Sequence, residues 1–156
     1  MEVVEAKENV SPRESSFAYH CSYQDDWGTR FGTEATAVIN YDREYFGTSS
    51  QDIHAGMDID TGVYTAGYGG VYEVTWSLST DDDPSHSNSE IYLYKNFLQM
   101  PESILWGAGY GSTSHDFSSR TMYMRLDQFD QIYLNCENCW LVRTINLCVA
   151  LVQPDP

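Results

Sequence analysis

The chain has 156 residues, 42% hydrophobic and 14% aromatic, including 12 Tyr, 6 Phe and 4 Trp. That length suits one domain with its own core, and the aromatic content excludes global disorder. Eight basic residues stand against 23 acidic ones, for a formal net charge of −15. Phosphate backbones and anionic membranes both need clustered Lys and Arg, so neither nucleic acid nor an anionic membrane surface is expected as a partner. The longest apolar run, Cys148 to Val152, has five residues. A spanning helix needs about 18 or more.

Residues 1–15 are polar and charged, and read as a flexible arm. They show neither the basic start nor the apolar core of a signal peptide. The triplet Asn9-Val10-Ser11 is compatible with secretion. The folded domain is expected over 16–153, with a tail over 154–156.

Strand patterns fill the body. Candidates come first at Phe17–Tyr23, Ala35–Ile39 and Val63–Ala66. Tyr72, Val74, Trp76 and Leu78 then alternate with Glu73, Thr75 and Ser77. Period two marks a strand with one wet face, and its β-branched and aromatic content places this one centrally. Glu90–Lys95 follows. Met122, Met124 and Leu126 alternate with polar neighbours, and Gln131–Asn135 comes next. Ile145, Leu147, Val149 and Leu151 mark a last, deeply buried strand. Turn signals separate these runs at Asp60-Thr61-Gly62, Gly69-Gly70 and Asp81-Asp82-Asp83-Pro84. No long stretch has helical periodicity. The expected fold is all-β, a sandwich, jelly roll or barrel.

Catalytic motifs are missing. There is no Gly-x-Ser-x-Gly elbow and no His-Glu-x-x-His pair, and His20, His54, His86 and His115 lie far apart. Gly107–Gly111 lacks the Lys-Ser/Thr of a phosphate cradle and reads as a loop. A cupin-type metalloenzyme needs His pairs on neighbouring strands, which this spacing does not offer. The expectation is no enzyme and no organic cofactor.

The even cysteine count points to an oxidising compartment. Cys136-Glu-Asn-Cys139 lacks the second pair of a zinc site, and strands flank it where a redox motif starts a helix. It reads as a small disulfide at a hairpin loop. Spacing alone leaves all three connectivities with Cys21 and Cys148 open. Asp81, Asp82 and Asp83 offer oxygen ligands for calcium, or simply a solvated turn.

A frame of eight residues carries a family resemblance: Phe46, Asp52, Met57, Tyr64, Gly70, Tyr72, Val74 and Trp76. Its spacing resembles the signature of the complement C1q globular head, which shares its jelly roll with the tumour necrosis factor ligands. Asp58-Ile-Asp60-Thr61-Gly62 resembles the family's turn before its aromatic strand, and three further segments follow in order. Leu93-Tyr-Lys95-Asn96 resembles a family hairpin. Met122 to Leu134 resembles a strand pair, with Phe129 where the family has Gly. Leu147-Cys-Val-Ala-Leu151 resembles the last strand.

The resemblance implies a jelly-roll sandwich of two antiparallel sheets and about ten strands, assembled as a secreted homotrimer. It implies recognition of extracellular protein or glycan ligands through loops, as in innate immunity. The alternative is a signalling ligand or an adhesion or matrix protein of the same type. It places the first and last strands side by side, favouring Cys21–Cys148 and leaving Cys136–Cys139 to close a loop. It also makes Asp116, with Asp81 and Asp83, the candidate calcium ligands. The second aspartate some members use has no counterpart near Gly109. No collagen-like Gly-X-Y stem is present in these 156 residues.

Overall fold

The structure, a computed structural model, describes residues 19–24, 36–38, 43–47, 56–80, 90–106, 117–137 and 142–156. These form twelve strands and one 3-10 turn. The strands are β1 (Tyr19–Gln24), β2 (Thr36–Val38), β3 (Arg43–Gly47), β4 (Gly56–Asp58), β5 (Val63–Thr65) and β6 (Gly70–Thr80). They continue with β7 (Glu90–Lys95), β8 (Leu98–Gln99), β9 (Leu105–Trp106), β10 (Phe117–Leu126), β11 (Gln131–Glu137) and β12 (Val142–Pro154). The two-residue strands β8 and β9 take the count above the ten or so expected from sequence.

Two antiparallel sheets result. One runs β10-β6-β12-β1-β3; the other runs β4-β5-β11-β7-β8, with β2 also on β11 and β9 also on β7. β12 is the middle strand of the five. β6 lies inside the sheet beside it, paired with β10 on one side and β12 on the other, in keeping with its expected central place.

The alternation read in the sequence is the alternation of burial. Tyr72, Val74, Trp76 and Leu78 of β6 are buried, as are Ile145, Leu147, Val149 and Leu151 of β12. Ile91 and Leu93 of β7 and Ile132 and Leu134 of β11 meet them from the other sheet in one core. Burying such side chains is worth about 1.5–3 kcal/mol each. Tyr64 sets its ring edge-on to Tyr72, centroids 6.1 Å apart. The Tyr72 hydroxyl donates to the Tyr68 carbonyl at 2.7 Å, so its polar tip is satisfied.

Buried Ser103, in the 3-10 turn Pro101–Ser103, holds that turn onto β7. Its hydroxyl accepts from Leu93 N at 2.7 Å and contacts the Met100 carbonyl oxygen at 2.5 Å. Gly70 is required by close approach. A Cβ there would stand 2.3 Å from the Gln153 carbonyl oxygen, where β12 passes.

The expected arm over residues 1–15 lies outside the described residues. Among the described residues, no helix is long and apolar enough to cross a membrane.

Candidate functional site

The family-frame residues divide between core and periphery. Tyr64, Tyr72, Val74 and Trp76 are core residues, and Met57 packs against the core from β4. Phe46 lies in β3, in register with Cys21 of β1. Asp52 lies outside the described residues. The frame is therefore packing, and the site must be sought on the surfaces.

The first surface is the outward face of the five-stranded sheet. Register sets Thr75 between Thr121 and Cys148, Glu73 between Tyr123 and Ala150, and Ser77 beside Asn146. Short polar side chains join across the strands. The Thr75 and Thr121 hydroxyls are 2.8 Å apart, and Asn146 Nδ2 donates to Ser77 Oγ at 3.2 Å. The Tyr123 hydroxyl caps the Glu73 carboxylate. That bond and the nearby charge hold the Tyr123 phenol above its ordinary pKa. Arg125, at one end, is already bound to the Asp155 carboxylate at 2.7 Å. In a chain of net charge −15, the charges that β6, β10 and the end of β12 bring to this face are Glu73, capped by Tyr123, and the Arg125–Asp155 pair, while Arg43 of β3 stands in register with Tyr23 at the far edge.

The second feature is a polar clamp at one end of the sandwich. Lys95 pairs with Asp130 at 3.0 Å and donates to the Arg125 carbonyl. Asn96 Nδ2 donates to Asp130 at 2.7 Å, and Asn96 Oδ1 accepts from Gln131 N. Partial burial pushes the Asp130 carboxyl up. The bonds from Asn96, Asp127 N and Lys95 outweigh it and hold the pKa below the usual range. The turns bearing this clamp place Asn96, Phe97 and Phe129 at positive φ of 47°, 68° and 71°. Phe129 thus occupies a left-handed position where the resembling family has glycine. Asp58 belongs to another turn. Its carboxylate accepts from Asp60 N at 3.0 Å, and Gly62 follows at φ 74°.

The third surface is the outward side of the other sheet. Tyr94 and Tyr133 stack there, centroids 5.2 Å apart at 15°, and Phe97 tilts toward Tyr133 at 6.3 Å. These rings leave Tyr133 buried although Ile132 and Leu134, its neighbours, take the core side. Sequence reading missed this cluster. The alternation of Glu90, Tyr92 and Tyr94 was visible, but the register that adds Tyr133 was not.

The candidate calcium residues Asp81, Asp83 and Asp116 lie outside the described residues. Among those described, no group of three or more His, Cys, Asp or Glu side chains is placed to hold a metal. Cys136 and Cys148 are disulfide-bonded, and no described cysteine is free. Cys21 stands directly opposite Cys148 in the β1–β12 register. Cys139 lies outside the described residues.

No protein-family model and no curated protein matches this sequence. Solved structures do match. The globular domain of zebrafish complement 1qA protein aligns at a TM-score of 0.51 and 11% identity, over 88% of this chain and 99% of that one. Murine APRIL, in a crystal structure at pH 8.5, aligns at a TM-score of 0.56 and 6% identity, over 85% of this chain and 98% of that one. The domain has the C1q/tumour necrosis factor jelly-roll fold. At these identities the likeness is one of architecture.

Proposed function

We propose that this C1q/TNF-like chain is a secreted, homotrimeric, non-enzymatic recognition module that binds extracellular ligands through its loops, as innate pattern receptors do. One observation carries the reading: β6, β10 and β12 of the five-stranded sheet present a face with little charge on a strongly acidic chain. Like-charged copies repel wherever their charges meet. A face of mostly hydroxyl, amide and Tyr side chains is where three such copies can pack while burying few carboxylates. Trimers then multiply weak loop contacts into avidity.

The proposed disulfides are Cys21–Cys148 and Cys136–Cys139. Residues directly opposite in an antiparallel pair have Cα atoms about 4.5–5.5 Å apart, within the range a disulfide spans. The proposed calcium ligands are Asp81, Asp83 and Asp116. Support comes from the strands next to them: β6 ends at Thr80, β10 begins at Phe117, and Phe117 pairs with Ser79. The strand that ends before Asp81 and the strand that begins after Asp116 are therefore neighbours at one end of the sheet. Bound there, calcium would supply charge neutralisation and loop order.

The test applies the labelled protein to a glycan array and to whole bacteria, with calcium and then with EDTA. Saturable binding to either supports recognition. Binding to neither, with saturable binding to animal cells, favours the second reading of a signalling or adhesion ligand.

A further inference from the structure

The stripe on the outward side of the second sheet is separate from the proposed assembly face. Ile91, Leu93, Ile132 and Leu134 take the core side of β7 and β11. Glu90, Tyr92 and Tyr94 therefore share the other side with Tyr133, Asn135 and Glu137. Register sets Glu90 opposite Glu137, Tyr92 opposite Asn135 and Tyr94 opposite Tyr133.

Like charges directly opposite on neighbouring strands destabilise a sheet. Glu90 and Glu137 form such a rung, and among the described residues no Lys or Arg pairs with either. The Tyr92 hydroxyl donates to Glu90 at 2.9 Å. Burial of that phenol, then the Glu90 bond and the Glu137 charge, push its pKa up to about 12. Beside this rung, Asn135 Oδ1 is shut off from solvent with no hydrogen-bond partner. At the other end of the stripe, Phe97 is 76% exposed at a φ of 68°. A residue with a Cβ is strained there. The strain gains little packing, because the ring stays largely in water. Leu98 beside it is 73% exposed.

The rung and the aromatic surface suit the same partner. The carboxylate rung suits a cation, and the aromatic surface suits a flat, weakly hydrated cation or apolar side chains, while Asn135 Oδ1, sealed from solvent, takes no part in docking. A guanidinium is planar, always charged and carries five donors. We propose that this stripe docks an arginine-bearing protein segment. The guanidinium sits at the Glu90–Glu137 rung, and neighbouring apolar side chains of the partner lie over Tyr94, Tyr133 and Phe97. The stripe follows β7 for roughly 17 Å, the span of an extended peptide of about five residues. The proposal goes beyond loop-borne recognition and does not depend on the trimer.

The test is fluorescence anisotropy with labelled hexa-arginine, hexa-lysine and Gly-Ser peptides at physiological salt, with a melting curve for every variant. Hexa-arginine is expected to bind saturably and at least threefold more tightly than hexa-lysine. Glu137→Gln and Tyr94→Ala are each expected to weaken it at least fivefold, while Asp60→Asn, in the β4–β5 turn, leaves it unchanged. Phe97→Gly is expected to raise the melting temperature and still weaken binding. That pairing keeps the test sharp if a truncation unfolds the protein. Equal losses in Glu137→Gln and Asp60→Asn would overturn the proposal, since charge alone would then explain binding. So would equal affinity for hexa-lysine, or full affinity in Phe97→Gly. A self-associated species that dissociates in Phe97→Gly would assign the stripe to a second copy instead.

Discussion

The Lys95 ammonium and the Asp130 carboxylate meet at 3.0 Å, joining the β7–β8 hairpin to the turn before β11. Asn96 closes the same joint by donating to Asp130 and accepting from Gln131 N. Two motifs far apart in sequence are thus one structural clamp. Its carboxylate is partly buried and takes several bonds at once, so they count for more than an isolated surface pair.

Stability should depend on this clamp in a pH-specific way. The folded Asp130 pKa lies below its ordinary value. Its contribution is therefore present above about pH 4, the unfolded pKa, and is lost as pH falls through the folded pKa. Asp130→Asn is expected to cost about 1–2 kcal/mol at neutral pH in urea unfolding. The gap from the unsubstituted protein should close below pH 4. A gap of constant size down to pH 3 would show that the charge is not what stabilises.

Phe129 should be replaceable with profit. It is 54% exposed and sits at a φ of 71°, so its backbone is strained and its ring packs little. Left-handed backbone costs a Cβ-bearing residue about 1–2 kcal/mol. Phe129→Gly is expected to recover about 1 kcal/mol of that, since glycine also loses more entropy on folding. A lower melting temperature for Phe129→Gly would mean that the ring makes a contact worth more than the strain.

The proposed Cys21–Cys148 bond closes most of the folded chain into one loop. In the chain-entropy account such a long loop is worth on the order of 4–5 kcal/mol. Non-reducing peptide mapping is expected to link the peptide holding Cys21 to that holding Cys148. The paired Cys21→Ser, Cys148→Ser protein should unfold at markedly lower urea. A map linking Cys21 to Cys136 or Cys139 would refute the pairing.

The strands were legible because period-two alternation maps directly onto burial. Tyr72, Val74, Trp76 and Leu78 read as one face and are buried as one face. The Gly-to-Phe departure at Phe129 was legible too, and it now has a physical meaning in its positive φ. Cross-strand partners were not legible, because register depends on both strands at once. That is why the Tyr94–Tyr133 stack, the Glu90–Glu137 rung and the Asn96–Asp130 bond went unread. Buried Ser103 was equally hidden. Its role comes from the Leu93 backbone it meets, and nothing local in Pro101-Glu102-Ser103 announces it.

Size-exclusion chromatography with light scattering tests the central claim most directly. The account predicts a mass about three times the 17.8 kDa chain. It also predicts that Thr75→Glu, which adds a carboxylate to the low-charge face, gives a folded single chain. A single-chain mass for the unsubstituted protein at every concentration would contradict it, as would a trimer indifferent to Thr75→Glu.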